Sequence, residues 1–161
     1  MSFTALDFWN FSIDIYRLNE IQQTLLDAQN KHSLNVNLAL FCLFLNKHNI
    51  YLTEEQLSQL NHDLALFNHE FTSRLRELRQ SFKANQDKLN SYQEIREALL
   101  KTELMLEQQE QTLLVQRFSE FSQLDAGQND NLQLYQALLS TQNSLNNKST
   151  LNLSDLNQYI R

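Results

Sequence analysis

The sequence predicts an all-α fold, and three observations support this prediction. The 161 residues include no proline and one glycine, whereas the tight turns of β-sheets depend heavily on these two residue types. Apolar residues recur at intervals of three and four, which is the helical period, and not at intervals of two. Polar residues suited to helix capping precede several of these periods. We therefore expect a single helical domain over residues 1–161.

A compact helical cluster is predicted for residues 4–50. Thr4 and Asp7 have the spacing of a reciprocal capping box, which opens the first helix. Asn19 is the expected cap of a short second helix. A third helix, over about residues 35–47, carries the densest apolar run of the chain, so we expect it to lie in the centre of the fold.

Residues 53–124 are predicted to form a long antiparallel helical hairpin that packs against this cluster. Thr53 with Gln56, and Ser91 with Glu94, have capping-box spacing at the start of its two helices. An apolar stripe at helical spacing marks each helix, and a break at residues 85–90 separates them. The first stripe is Leu57, Leu60, Leu64, Phe67, Phe71, Leu75, Leu78 and Phe82, and the second is Tyr92, Ile95, Leu99, Leu106, Leu113 and Phe121.

Two short helices should complete the fold, within residues 131–160. A polar linker at about residues 125–131, which contains Gly127, separates them from the hairpin. We expect the first to span about residues 131–145 and the second about residues 154–160.

Composition and charge favour a cytoplasmic protein. The net charge of −6 and the pI near 5.1 argue against nucleic-acid binding, which needs a basic surface. The single cysteine, Cys42, lies in an apolar run, so we expect a buried thiol in a reducing compartment. The N-terminus lacks the pattern of a signal peptide. No apolar stretch reaches about 18 residues, so we predict no membrane-spanning segment.

Five short motifs, in order along residues 6–121, resemble a proteobacterial family known only as a domain of unknown function with an N-terminal FW-x-F-S-x-x-x-Y signature. The resemblance implies an all-α intracellular protein and no particular activity. Where the family has Gly and Asp before Val-Asn, this chain has Leu34 and Asn35, which argues against a carboxylate site near Asn37. The motifs are Phe8-Trp9-x-Phe11-Ser12-x-x-x-Tyr16, Leu26-x-x-Gln29, Asn35-Val36-Asn37-Leu38, Leu75-Arg76-x-Leu78-Arg79-x-x-x-Lys83 and Glu103-Leu104-x-x-Glu107.

Aromatic residues of the first helix form one candidate site. Trp9 and Tyr16, together with Asn37 and Cys42 of the third helix, could line an apolar ligand pocket or anchor a partner. Alternatively, these side chains are part of the hydrophobic core, in which Trp and Tyr need partners for their polar atoms.

The basic residues Arg74, Arg76, Arg79 and Lys83 form a second candidate site near the turn of the hairpin. They could dock an acidic protein partner or, less in keeping with the acidic chain, RNA. Alternatively, they pair with glutamates of the hairpin itself. With a turn near residue 88, Arg74 should face Glu103 and Arg79 should face Glu97.

The sequence offers no catalytic, metal or cofactor site. One glycine cannot supply a phosphate-binding loop or a dinucleotide fingerprint. The histidines do not have the spacing that a metal site in a helical bundle requires. An apolar environment should suppress the reactivity of Cys42.

We therefore predict a non-enzymatic protein-interaction or adaptor module with a protein partner, no cofactor and no metal. The hairpin stripe could also mediate a homodimer. The alternative prediction is a small-molecule-binding helical bundle, or an enzyme without a recognisable motif, with its site in the aromatic N-terminal cluster.

Overall fold

The computed structural model describes residues 3–121, 130–142 and 152–160. Within these ranges the predicted all-α class is confirmed, since the ordered elements are helices and no strand is present. The predicted linker around Gly127 and the predicted end of a helix at residue 145 lie largely or wholly outside the described ranges. The α-helices are α1 (Ala5–Tyr16), α2 (Asn19–His32), α3 (Val36–Lys47), α4 (Glu54–Phe67), α5 (Ser73–Ala84), α6 (Tyr92–Ser119) and α7 (Asn131–Gln142).

Three helices begin at side-chain caps, two of which the sequence predicts. Thr4 and Asp7 form a capping box at α1, and Thr53 and Gln56 form another at α4. Asn35 caps α3, because its side chain accepts a hydrogen bond from the backbone amide of Leu38. Each cap satisfies amides that the first turn of a helix leaves without intrahelical partners.

Two predicted caps are wrong. Ser91 precedes α6, but its side chain makes no capping hydrogen bond. Asn19 lies inside the first turn of α2, and Leu18, which has no capping side chain, occupies the cap position. Both helices are instead held by packing of their apolar residues, which contributes more to helix stability in proteins than terminal caps do.

Helix α3 lies in the centre of the fold, as its apolar run predicts. All nine residues from Asn37 to Leu45 are buried. Helices α1, α2, α4, α6 and α7 each pack against α3. A helix that is apolar on every side needs such an environment.

The C-terminal elements are docked on α3 through both apolar and polar contacts. Tyr135 of α7 is fully buried, and its hydroxyl accepts a 2.9 Å hydrogen bond from the backbone amide of Asn35. The side chain of Asn46, near the end of α3, bonds Asp130, Asn131 and Asn157. Asn157 lies in a short 3₁₀ helix, Leu153–Tyr159, where the sequence predicts a short helix.

Helices α4 and α5 are joined without a break by a π-helical segment, Asn68–Thr72. A π turn accommodates one more residue than an α turn, so it rotates the helix beyond it. The inward face therefore continues from Leu64 through Thr72, Arg76 and Arg79. Thr72, Arg76 and Arg79 each directly follow an apolar residue of the predicted stripe.

The π segment makes the second half of that predicted stripe wrong. Leu57, Leu60 and Leu64 are buried as predicted, but Phe71 is 50% exposed and Leu78 is 48% exposed. The buried residue next to Phe71 is Thr72. The sequence pattern alone contains no sign of this rotation, because the apolar spacing continues unchanged through it.

Helix α6 runs back along α4 and α5, as a hairpin requires, but its register and its inward face differ from the prediction. Arg79 pairs with Glu103 and not with Glu97, and Arg74 pairs with Glu70 of its own helix and not with Glu103. The buried residues of α6 are Glu103, Glu110, Gln111, Leu114 and Phe118. The inward face thus carries three acidic or amide side chains, whereas the predicted stripe is mainly apolar, with Thr102 and a Gln/Glu pair at its skipped positions.

Candidate ligand-binding cavity

A cavity of about 590 Å³ lies between α1, α2, α3, α5 and α6. One wall is apolar and is formed mainly by the N-terminal helices. The opposite wall and the floor are polar and come from the π segment, α5 and α6. The apolar lining residues are Trp9, Ile13, Leu26, Val36, Leu40 and Leu104.

The floor of the cavity contains the carboxylate of Glu110, which is 1% exposed. Its Oε1 accepts hydrogen bonds from Thr72 at 2.6 Å and Asn68 at 2.8 Å. Its Oε2 accepts from Asn37 at 2.8 Å and from Asn35 at 3.5 Å. Four neutral donors thus solvate a buried anion that has no basic partner within salt-bridge distance among the described residues.

Two arginines of α5 hold the glutamates nearer the mouth. Arg76 donates from Nε to Glu103 at 2.9 Å and from Nη2 to Glu107 at 2.8 Å. Arg79 donates from Nε to the other oxygen of Glu103 at 2.7 Å. Glu103 is therefore bonded through both oxygens, whereas Glu107 is bonded through Oε1 alone.

Burial raises the pKa of two groups at the mouth of the cavity. It raises the pKa of Glu107 above its usual value, although Arg76 acts in the opposite direction. It also raises the pKa of Tyr16, and the nearby negative charge of Glu107 contributes to the same shift. The Tyr16 phenol is therefore neutral at physiological pH.

Two polar atoms at the cavity have no hydrogen-bond partner among the described residues, namely Ser12 Oγ and Gln111 Oε1. Both residues line the cavity, and they are 4% and 2% exposed. The Gln111 amide group does donate, to Asn37 Oδ1 at 2.9 Å, so its orientation is fixed. A buried polar atom without a partner costs roughly 1–3 kcal/mol, and both atoms are closed off from solvent in this arrangement.

The structure brings together three of the four residues that the sequence suggests for an apolar pocket. Trp9, Tyr16 and Asn37 line the cavity. Cys42 lies on another side of α3 and is 0% exposed in the hydrophobic core. Burial raises the pKa of its thiol, which keeps it protonated.

The four residues of the predicted basic face do not lie on one surface. Arg76 and Arg79 line the cavity and face the glutamates of α6. Arg74 is exposed and forms a surface ion pair with Glu70, and Lys83 is exposed as well. The alternative interpretation, in which arginines pair with glutamates of the hairpin, therefore describes Arg74, Arg76 and Arg79.

Sequence reasoning missed the polar lining residues Ser12, Asn68, Glu110 and Gln111. It also missed Thr72, which donates to Glu110 without lining the cavity itself. A signal was present in α6. Glu103, Glu107 and Glu110 are spaced by four and three, in the same helical period as Leu114 and Phe118. An acidic stripe that continues an apolar stripe indicates that the acidic residues also face inward. A carboxylate does therefore lie beside Asn37, and α6 supplies it.

Residues 7–114 match the profile of a protein family described as "Protein of unknown function (DUF2390)". The matched region contains every residue that lines the cavity. The chain belongs to this family. A search of curated proteins and a search of solved structures each found no significant match.

Two further features bear on the chemistry that this DUF2390 member can support. Among residues 3–121, 130–142 and 152–160, no three His, Cys, Asp or Glu side chains are arranged to hold a metal ion. In the same part of the chain, none of the helices combines the length and the apolar character needed to cross a membrane.

Proposed function

We propose that this protein binds a small organic molecule in the cavity between α1, α3 and the α5–α6 hairpin. The observation that carries the proposal is a large cavity with an apolar wall opposite polar side chains. A volume of about 590 Å³ falls in the range typical of small-molecule sites, roughly 300–1,000 Å³.

The distribution of apolar and polar groups supports this function. Trp9, Ile13 and Leu40 offer an apolar wall for the body of a ligand, and Gln111 and Glu107 offer polar atoms on the opposite side. Ligand sites combine these features, since apolar area supplies affinity and a few polar groups fix orientation.

The polar floor is built on a π-helical segment, which is a second argument for a binding role. Asn68 and Thr72, at the two ends of the segment, both donate to Glu110. π turns inside α-helices are rare and occur frequently at functional sites. Here the π turn places two donors on one carboxylate oxygen and so fixes the floor of the cavity before any ligand arrives.

A fragment screen with two matched tryptophan variants tests the proposal. Ile13→Trp would fill the cavity from the α1 side, whereas Leu66→Trp adds the same bulk at a site that is 60% exposed and outside the cavity lining. Fragments should raise the melting temperature of the wild type and of Leu66→Trp, but not of Ile13→Trp. If no fragment binds, or if fragments bind to Ile13→Trp as well as to the wild type, the proposal is wrong.

A second candidate function is protein binding, either as an adaptor or as a homodimer. The apolar residues that the π segment turns outward favour it, since Phe71 and Leu78 of one helix are about half exposed. Large contiguous apolar patches mark protein contacts, and Phe71 and Leu78 lie seven residues apart on one face of the helix. The exposed cations Arg74 and Lys83 lie on the same helix and would add attraction for an acidic partner.

Sedimentation velocity at several concentrations tests the homodimer. A dimer that dissociates in Phe71→Gln supports it, and a wild type that is monomeric throughout rejects it. For the adaptor, affinity purification should compare the wild type with the double variant Arg74→Glu, Lys83→Glu. These two sites avoid Arg76 and Arg79, whose reversal would place a glutamate against Glu103 and endanger the fold.

A further inference from the structure

We propose that the ligand of this cavity is an organic cation, a small amine with a flat apolar body, whose charged head lies between Glu107, Gln111 and the rings of Trp9 and Tyr16. The inference rests on the proposed function and adds the chemical class of the ligand. It follows from the charges, the hydrogen-bonding capacity and the aromatic lining of the cavity.

The ionisable side chains that line the cavity carry a net negative charge. They are two arginines and three glutamates, which gives a formal sum of −1: Arg76, Arg79, Glu103, Glu107 and Glu110. Glu103 and Glu110 are buried and Glu107 is partly buried, so an uncompensated charge among them is screened less than a charge on the open surface.

Glu107 is the glutamate best placed to receive the ligand cation. Glu103 is bonded by an arginine at each oxygen, and both oxygens of Glu110 accept from neutral donors. Glu107 has one ion pair, from Oε1 to Arg76. Its side chain remains 32% exposed, so its Oε2 can accept a hydrogen bond from a ligand at the mouth.

Gln111 Oε1 has no hydrogen-bond partner in the part of the chain that the structure describes and therefore favours a ligand that carries a donor. An amide oxygen can only accept hydrogen bonds, and Gln111 Oε1 has no donor among the described residues. The Gln111 amide nitrogen is held by Asn37 Oδ1, which fixes this orientation. An ammonium group carries three donors and could supply Glu107 directly and Gln111 Oε1 after a small rotation of the Gln111 side chain toward the cavity, whereas a carboxylate ligand could supply neither.

Trp9 and Tyr16 are suited to the same ligand. They are seven residues apart on α1, and so share a helical face, and both line the cavity. Trp and Tyr rings attract cations through the negative potential of their faces. An aromatic wall with a neighbouring carboxylate is the combination by which proteins bind alkylammonium groups.

The two arginines do not make the cavity a site for anions. Arg76 uses Nε and Nη2 on Glu103 and Glu107, and Arg79 uses Nε on Glu103. An anionic ligand could use only the remaining N–H groups of these arginines, and it would enter a lining whose formal charge is already −1.

Three probes that share an indole ring test the proposal by isothermal titration calorimetry: the cation tryptamine, the neutral alcohol tryptophol and the anion indole-3-propionate. Tryptamine should bind at least about tenfold more tightly than either analogue, because hydrogen bonds to charged groups are the stronger ones. Glu107→Gln should weaken tryptamine binding about tenfold. Glu97→Gln, an equal charge change at an exposed site of α6, should leave it within about twofold.

The outcomes separate this inference from the proposed function. The proposed cationic ligand is wrong if tryptophol or indole-3-propionate binds as tightly as tryptamine. It is also wrong if only other, uncharged fragments bind. In both cases the cavity remains a ligand site. If Glu107→Gln and Glu97→Gln weaken tryptamine binding equally, the proposed position of the ammonium group is also wrong. If no fragment of any charge binds, both proposals fail.

A second variant keeps the test decisive should Glu107→Gln fail to fold. Gln111→Met removes the unpartnered acceptor and nearly preserves the volume of the side chain. It should weaken tryptamine binding about fivefold or more, because the ammonium loses an acceptor, and leave the weaker binding of tryptophol less affected. Unchanged tryptamine affinity in folded Gln111→Met would overturn the inference.

Discussion

The hydroxyl of Thr72 donates a 2.6 Å hydrogen bond to Oε1 of Glu110, and both residues are buried. A carboxylate in the interior is stable only when donors replace the water that it loses. Thr72 reaches Glu110 because the π segment turns it inward. The pair therefore links an irregularity of the backbone to the charge at the floor of the cavity.

Replacing Thr72 with Val should destabilise the protein by about 2 kcal/mol, because it removes a donor from a buried charged acceptor while preserving shape. Urea denaturation followed by circular dichroism measures the loss. Thr102→Val is the matched control, since Thr102 is exposed and its hydroxyl bonds only the backbone of its own helix. That variant should stay within about 0.5 kcal/mol of the wild type, and equal losses in both would contradict the role of Thr72.

Deleting His69 should be far better tolerated than deleting His62, although both are exposed. The first deletion removes the extra residue of the π segment and lets α4 and α5 form one regular helix, with Thr72 and Arg76 still facing α6. The second rotates Leu64 and all that follows by about 100°. We expect thermal denaturation to show a cooperative transition for the His69 deletion and a lost or strongly lowered one for the His62 deletion. Similar damage in both would mean that the π turn does not set the inward face.

The stability difference between the wild type and Glu107→Gln should depend on pH. Burial raises the pKa of Glu107 in the folded state above its ordinary value of 4.5. The folded state therefore binds this proton more tightly than the unfolded state does, and stability falls as pH rises through the window between the two values. The side chain of the Glu107→Gln variant does not titrate, so its stability lacks this dependence on pH.

Urea denaturation from pH 4 to pH 7 tests whether stability falls as the pH rises. The wild type should lose stability relative to Glu107→Gln as the pH rises from near 4.5. Glu97→Gln makes the same substitution at an exposed site of α6 and serves as the matched control. If the wild type gained stability relative to Glu107→Gln over this range, the ion pair with Arg76 would outweigh burial.

Asn131→Ala should loosen the junction between α7 and the loop after α3. Asn131 is 0% exposed; its Oδ1 accepts from the amide of Leu52 at 2.8 Å, and its Nδ2 donates to Ile50 O at 2.7 Å. Truncation leaves both backbone groups buried without partners, so we expect a loss of about 2–4 kcal/mol. Hydrogen exchange at the Leu52 amide should accelerate more than at amides in the centre of α3, and unchanged exchange at Leu52 would contradict this account.

Most of the fold could be predicted from the sequence because the signals that determine it are local. Thr4 with Asp7, and Thr53 with Gln56, start helices by contacts within four residues. The central position of α3 follows from its apolar composition. Ser91 occupies the predicted N-cap position of α6, but its backbone (φ −112°, ψ 35°) is not extended like that of Thr4 and Thr53, and its side chain makes no capping hydrogen bond.

Much of the cavity could not be predicted, because its floor depends on long-range contacts. Glu110 meets Asn37 across 73 residues and Thr72 across 38. The register of the hairpin decides which glutamates meet Arg76 and Arg79, and the π turn decides that these arginines face inward. Trp9, Tyr16 and Asn37 were predictable members of the site because aromatic residues on one helical face and a polar residue in an apolar run stand out locally.

The burial of Cys42 provides a built-in probe of how the protein opens. It is the single thiol of the chain, lies at 0% exposure beside the centre of the core and stays protonated when folded. An alkylating reagent can therefore react only with molecules whose core has transiently opened. The rate of alkylation, measured by mass spectrometry with and without an added amine, would report the free energy of opening in native buffer. It would do so without any label or mutation.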